Sequence, residues 1–259
     1  MNEEILNALL LDRTTGKNSL WANAEFGAKE ITAAQVDSIR PRHEKIRETQ
    51  KQRTRDRAEI FTPPDICALQ NDLIWKTCKP RESWTEYVDA KFLEITCGEA
   101  PYLVSRYNAV TGEAIQLDKR VGLLDRKLRV VNNETKTLPD WTTWTLRAVE
   151  SVYGYEFQGD NLFLARRNVF DTVVENFAAK FTCKPPKNFW LAVATIISCN
   201  LWQMDGRTNA IPYAKANRQG TLALGGEAQE PQGEIFCKII DWRTGKVVEF
   251  ESLAKGAQK

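Results

Sequence analysis

Three acidic residues each lie in a short apolar run that is typical of a buried strand. They are Glu94 in the run 91–96, Glu156 in the run 151–157 and Asp205 in the run 200–205. Carboxylates accept hydrogen bonds from hydroxyl and amino groups. At the ends of strands they can therefore hold the ribose and the base of a nucleoside. Gly98, in the turn of small residues after the first run, would let such a ligand approach the backbone closely.

Segments with helical patterns separate the three runs. Apolar residues recur at helical spacing between residues 161 and 181, and shorter helices are predicted over 141–151 and 188–198. Strands that alternate with helices predict an α/β fold, here an open, mostly parallel sheet with helices on both faces. Ligands bind at the carboxyl ends of the strands in such sheets, so we expect the acidic residues to converge there.

Four further segments complete this pattern. They are a helix from Pro64 to about Lys76 after a cap at Thr62, a helix start within 101–109, an irregular stretch over 111–133 and a hairpin of 234–241 with 246–250. Residues 1–57 are interpreted as a small N-terminal extension with a basic segment. Residues 58–259 are interpreted as the main domain.

Composition narrows the class of protein. The chain has 259 residues, of which 42% are hydrophobic, with eight tryptophans, and this supports one substantial core. No apolar run is long enough to span a membrane, and the N-terminus carries acid where a secretory signal carries base. We therefore expect a cytoplasmic protein without membrane partners.

Cysteine and histidine usage argues against two kinds of site. The six cysteines form no CxxC pair, and His43 is the single histidine. A structural zinc site and Ser-His-Asp catalysis are both disfavoured, so no metal is predicted. His43 itself lies in a basic run and is interpreted as a solvated bystander.

Charge is uneven along the chain although the formal net charge is only +2. The segment 40–57 holds eight Arg or Lys against three Asp or Glu, a local +5, so the remainder sums to −3. Such a segment can meet nucleic-acid phosphates. A solvated helix or arm accounts for the charge pattern equally well.

Four segments in order resemble the adenine-amino DNA methyltransferases of restriction–modification systems, and in particular the short proteins called restriction endonuclease subunit M. They are 57–64 (RAEIFTPP), 92–103 (FLEITCGEAPYL), 153–156 (YGYE) with 161–168 (NLFLARRN), and 200–206 (NLWQMDG). The resemblance implies a Rossmann-like S-adenosylmethionine-dependent methyltransferase fold, with S-adenosylmethionine (SAM) as cofactor and DNA as the substrate.

The resemblance also implies roles for single residues around the first strand. Phe61, Thr62 and Pro63 match the Phe-Thr-Pro motif that covers the tail of SAM. Glu94 and Gly98 match the acid and the first glycine of the motif at the first strand. The second glycine of that motif is an alanine in this chain.

Two acids match the positions that hold the nucleoside in the family. Glu156 resembles the ribose-binding acid and Asp205 the adenine-binding one. From the residues alone, Glu156 also suits a solvated acid or a helix cap, and Asp205 also suits an Asp-Gly turn.

The segment that would transfer the methyl group departs most from the family. The family places Asn or Asp, two prolines and an aromatic residue there, to hold the amino group and stack on a flipped base. The nearest match is Asn209 with Pro212 and Tyr213, which is one residue longer and lacks the second proline. Asp241 with Trp242 is a weaker candidate.

Two functions therefore stay open. The first is a DNA adenine methyltransferase, alone or with a restriction or specificity subunit as partner. The second is a non-catalytic accessory or nucleic-acid-binding protein that keeps the fold without the transfer loop. A nicotinamide-dependent oxidoreductase is disfavoured because no Gly-x-Gly-x-x-Gly follows the first strand.

Overall fold

The computed structural model of the protein describes residues 1–21, 29–57, 59, 62–78, 83–215 and 233–256. The helices are α1 (Glu3–Leu10), α2 (Arg47–Arg57), α3 (Pro64–Cys78), α4 (Trp84–Asp89), α5 (Leu123–Glu134), α6 (Leu138–Glu150), α7 (Gly159–Lys180), α8 (Phe189–Asn200) and α9 (Phe250–Gly256). The strands are β1 (Phe92–Glu94), β2 (Val152–Glu156), β3 (Leu201–Gln203), β4 (Ala210–Lys215), β5 (Glu234–Phe236), β6 (Lys238–Asp241) and β7 (Lys246–Glu249).

A three-stranded parallel sheet of order β1-β2-β3 makes this a mixed α/β protein. Each of its strands lies within one of the predicted apolar runs. Because all three run in the same direction, their carboxyl ends meet at one edge. The expectation of an α/β protein with a parallel sheet is confirmed.

The two faces of this sheet are covered differently. Val152 and Leu201 face the large core, which α6, α7 and α8 complete. Tyr153 and Trp202 face the other way and pack against residues of the β6–β7 hairpin and Phe250 of α9. The prediction of helices on both faces is therefore wrong for most of the second face. The antiparallel hairpin of β6 and β7, and not a helix, covers most of it.

The first helix belongs to the main core. Ile5, Leu9 and Leu10 of α1 are buried, and α1 packs on α7 and α8. Arg166 of α7, fully buried, donates from its guanidinium to the carbonyl of Leu9 at 2.7 Å. The guanidinium of a buried arginine can donate to several backbone carbonyls at once, and it thereby joins the segments that carry them. The core thus begins within the segment predicted as an extension.

Two local predictions are wrong. The stretch 111–133 was expected to be irregular, yet it contains α5, whose buried Leu124, Leu128 and Val131 follow helical spacing between charged residues. The segment 101–109 forms turns instead of a helix start. The charged residues of α5 lower its mean hydropathy. The helix is therefore indicated by the spacing of its leucines and not by overall hydropathy.

Two other local predictions are confirmed. Helix α3 begins at Pro64, as expected from the proline pair. Strands β6 and β7 form the predicted hairpin, with Asp241 opposite Lys246. The preceding strand β5 pairs instead with β4 in a separate antiparallel ladder.

Candidate functional site

A cleft of about 810 Å³ opens at the carboxyl edge of the parallel sheet. The structure brings five of the predicted cofactor residues into its wall. They are Thr62, Glu94, Gly98, Glu156 and Asp205. Pro63 is exposed and is absent from the described wall. Phe61 lies outside the described residues.

Glu156 connects the end of β2 with the turn that follows β1. One carboxylate oxygen accepts the backbone N–H of Gly98 at 2.9 Å, and the other accepts the N–H of Gln158 at 3.0 Å. The residue is only 7% exposed. Each carboxylate oxygen has two lone pairs, so both can accept one further hydrogen bond from a ligand hydroxyl.

Glu94 holds the far end of the same turn. Its carboxylate accepts the backbone N–H groups of Tyr102 at 3.3 Å and of Leu103 at 3.1 Å. Glu94 thus positions the turn as well as lining the cleft.

The backbone of the turn keeps the geometry of a glycine-rich loop. Gly98 has φ of 56° and Ala100 has φ of 64°. This left-handed region costs roughly 1–2 kcal/mol for a residue with a Cβ. Ala100 is fully buried, so packing holds it in that conformation. The replacement of the second glycine by alanine therefore leaves the turn intact.

Burial changes the protonation of both glutamates. It raises the pKa of Glu94 to about 8 and that of Glu156 to about 7, although backbone N–H donors to each carboxylate oppose the shift. The charge of Glu156 also raises the pKa of Glu94, because like charges disfavour ionisation. Asp160 and Glu59 raise the pKa of Glu156 for the same reason. A hydroxyl that donates to Glu156 would favour its ionised form.

Asp205 forms a turn after β3. Its side chain accepts the N–H of Arg207 at 2.9 Å and its carbonyl accepts the N–H of Asn209 at 2.8 Å. The turn-forming interpretation of this Asp-Gly pair is therefore observed. The same side chain lines the cleft, so the turn places it where a base amino group can reach it.

Gln158 was not singled out from the sequence. Its side-chain Oε1 is buried, and no hydrogen-bond partner for it is found among the described residues. The residue lines the cleft. A buried acceptor without a donor is unfavourable, and a ligand donor would satisfy it. No sequence pattern singles it out, because a glutamine two residues after a strand is an ordinary loop residue.

An ion-pair cluster forms one side of the cleft. Arg53 of α2 donates from Nε to Glu59 at 2.6 Å and pairs through Nη1 with Asp160 at 2.8 Å. Asn161 donates from Nδ2 to the same carboxylate of Glu59 at 3.1 Å. The attraction of Arg53 lowers the pKa of Asp160 although burial opposes it. The cluster thereby joins α2 to the start of α7.

His43 belongs to a packed cluster beside this side of the cleft. Its ring meets the ring of Tyr107 edge-on at 5.1 Å, and a Cβ on Gly112 would lie 2.4 Å from it. The expectation of a solvated histidine is therefore wrong. Tyr107 in turn donates to Glu99, which also accepts the N–H of Arg42 at 2.7 Å.

The predicted transfer residues lie close to the cleft but outside its described wall. Pro212 is buried in β4. Tyr213 is 54% exposed and meets Phe157, a residue of the wall, with 6.0 Å between ring centroids. Asn209 has φ of 59° and its carbonyl accepts the N–H of Cys237 at 3.0 Å.

The second transfer candidate is at the wrong end of the sheet. Asp241 accepts a hydrogen bond from Lys91, which directly precedes β1, at 3.1 Å. Trp242 donates to Asn200, which directly precedes β3, at 2.7 Å. Both contacts are at the amino ends of the strands, away from the cleft.

Comparisons with protein families, with curated proteins and with solved structures find no match to this chain. The described residues contain no group of metal-binding side chains suited to hold an ion. Among the helices of the described ranges, none combines the length and apolar character needed to cross a bilayer.

Proposed function

We propose that the chain has a Rossmann-like methyltransferase fold and binds S-adenosylmethionine in this cleft, to methylate an adenine amino group of DNA. The observation that carries the proposal is the bond between Glu156 and Gly98, in one cleft with Asp205. It joins a ribose-type acid to a glycine turn at the carboxyl edge of a parallel sheet, where α/β proteins bind nucleosides.

The described residues fit the cofactor. Glu156 retains lone pairs for the ribose hydroxyls, and Asp205 can accept from the adenine amino group. The unpaired Gln158 oxygen offers another acceptor in the same wall. The cleft volume of about 810 Å³ falls within the roughly 300–1,000 Å³ range of small-molecule sites.

S-adenosylmethionine supplies an activated methyl group when bound. The chain's own task is then to orient a weakly nucleophilic amino nitrogen. With SAM held by Glu156, Gly98 and Asp205, this nitrogen would take up the methyl group and would release one proton to water. Asn209 would accept from the amino group, and Tyr213 would stack on the target base beside Phe157.

Calorimetric titration of SAM into the purified chain tests the binding step. We expect saturable binding that Glu156→Gln weakens about ten- to hundredfold, because a charge-assisted hydrogen bond contributes roughly 1.5–3 kcal/mol. Glu113→Gln, an exposed substitution outside the described wall, serves as the matched control and leaves the affinity unchanged. Absence of SAM binding by the folded wild type overturns the proposal.

A non-catalytic SAM-binding accessory is the second candidate. It is favoured by one observation, that Asn209, Pro212 and Tyr213 lie outside the described wall of the cleft. Transfer of tritium from labelled SAM to unmodified DNA separates the two functions. A restriction or specificity subunit as partner belongs to the proposal through the family resemblance, and a cytoplasmic location is proposed with it.

A further inference from the structure

The basic segment 40–57 is divided by the structure into two faces. On the inner side of α2, Arg53 is bound by Glu59 and Asp160, and Gln50 donates to the carbonyl of Lys45 at 2.7 Å. These residues hold the helix on the protein. The charge of Arg53 is already balanced by its buried partners Glu59 and Asp160.

The outer side of α2 carries a stripe of exposed cations. Arg47, Lys51 and Arg55 are all exposed and follow one another at intervals of four residues. On an α-helix this spacing places them on one side, with about 6 Å of rise between neighbours. No ion pair to Arg47 or Lys51 is found within the part of the chain that the structure describes.

The stripe ends at the cleft. Arg55 lines the cleft from α2, and Arg207 lines it from the turn after Asp205. Arg55 pairs with Asp56 at 3.0 Å, but both side chains are exposed, and such pairs contribute little free energy. Arg207 is exposed, and the described carboxylates form no ion pair with it.

We infer that Arg47, Lys51, Arg55 and Arg207 form a cationic track that binds the phosphodiester backbone of DNA and leads it to the cleft. Charge complementarity carries the inference. Regularly spaced, exposed cations without buried partners match a regularly charged polyanion, and the release of counterions from DNA drives such binding. The chemistry at the end of the track rests on the proposed function, whereas the phosphate contacts do not.

Exposed acidic residues beside the track limit its positive potential. Glu48 and Asp56 are exposed on the same helix, each next to a cation of the stripe. They reduce the positive potential and predict binding of moderate strength.

Fluorescence anisotropy with short labelled DNA duplexes of two unrelated sequences tests the track. The variant R47Q/K51Q/R55Q is compared with K17Q/K184Q/K187Q, which removes the same charge from exposed positions elsewhere. Titrations between about 50 and 200 mM salt give the slope of log K against log salt. Each lost phosphate contact lowers its magnitude by about 0.9, so the triple variant lowers it by at most about 2.7.

We expect the track variant to bind both duplexes at least about tenfold more weakly at low salt, with a shallower slope, while the control triple retains wild-type values. Equal behaviour of the two triples, or no binding of either duplex by the wild type, overturns the track. The far-ultraviolet circular dichroism of each variant shows whether it is folded.

The double variant R47Q/K51Q separates this inference from the proposed function. Neither residue lies in the described wall of the cleft, so SAM affinity should be unchanged while duplex binding weakens. If the wild type binds DNA but does not bind SAM, the proposed function is contradicted and the cationic track is supported. If the wild type binds SAM but neither duplex, the cationic track is contradicted and the cofactor site is supported.

Discussion

Glu156 accepts the backbone N–H of Gly98 at 2.9 Å, which ties the carboxyl end of β2 to the turn after β1. The same carboxylate accepts the N–H of Gln158 at 3.0 Å. A residue that would hold the ribose is therefore also part of the folded site. Changes at this position affect stability and binding together.

Glu156→Ala should lower the free energy of unfolding by roughly 1–3 kcal/mol, because two backbone donors lose their acceptor in a buried place. Glu156→Gln keeps one carbonyl oxygen and should be less destabilising. Urea denaturation measures both. If the alanine variant is as stable as wild type, the bonds to Gly98 and Gln158 do not stabilise the turn.

Stability should decrease as the pH rises from about 5 to 7. The folded pKa values of Glu94 and Glu156, about 8 and 7, lie above the ordinary value of 4.5, since burial disfavours the charge. The folded state then binds more protons than the unfolded state in this window, and stability falls by up to about 1.4 kcal/mol per pH unit for each group. Chemical denaturation at each pH gives the slope.

Glu94→Gln provides the matched comparison for this slope. It cannot ionise, so its stability should depend less steeply on pH than that of wild type. Lys127, whose pKa burial lowers to about 7, opposes the glutamates only above that pH. An identical slope in wild type and Glu94→Gln contradicts the raised pKa of Glu94.

SAM affinity should rise over the same pH window. A ribose hydroxyl that donates to Glu156 favours the ionised carboxylate, whereas the folded site without ligand holds a proton there below pH about 7. Binding therefore releases a proton at lower pH. Calorimetry in two buffers of different ionisation enthalpy measures this release, and no proton release at acidic pH argues against contact with Glu156.

Arg53→Gln should lower the free energy of unfolding by about 2–3 kcal/mol. The substitution leaves the largely buried carboxylates of Glu59 and Asp160 without their shared cation. Because Arg53 is partly exposed, the expected loss of stability is smaller than that for a fully buried ion pair. Arg55→Gln, two residues away and exposed, should change stability by less than about 0.5 kcal/mol. Equal losses in the two variants contradict the division of α2 into inner and outer faces.

Tyr213→Ala should abolish methyl transfer to DNA while SAM binding persists. Tyr213→Phe should keep most of the transfer, because an aromatic ring is retained beside Phe157 and stacking needs no hydroxyl. Single-turnover transfer with labelled SAM measures both variants. If Tyr213→Ala transfers methyl groups as fast as the wild type does, the target base does not stack on Tyr213.

Asn209 requires a different substitution. Asparagine tolerates its φ of 59° better than alanine does, whereas Tyr213 at the same φ has no such advantage. Asn209→Gly keeps this backbone accessible and removes only the side chain. Transfer should be lost in Asn209→Gly with the fold retained. Retention of full transfer would exclude the side-chain amide as the acceptor for the amino group.

Local patterns in the sequence determined the central scaffold. The apolar runs around Glu94, Glu156 and Asp205 became β1, β2 and the segment that includes β3, and α7 follows the predicted helical spacing. These features depend on the periodicity of neighbouring residues, which the sequence displays directly. The common direction of the strands then brought the three acids to one edge.

Only the tertiary structure decided which charged residues are bound and which are free. Arg53 and Asp160 are 107 residues apart, and nothing near Arg53 distinguishes it from Arg55 two positions later. The turn formed by Asp205 and the clamp formed by Glu94 depend likewise on backbone donors that become available only after folding. Burial and partner choice are set by contacts between distant segments, so composition and spacing predict where charge accumulates but not which charge remains available for a ligand.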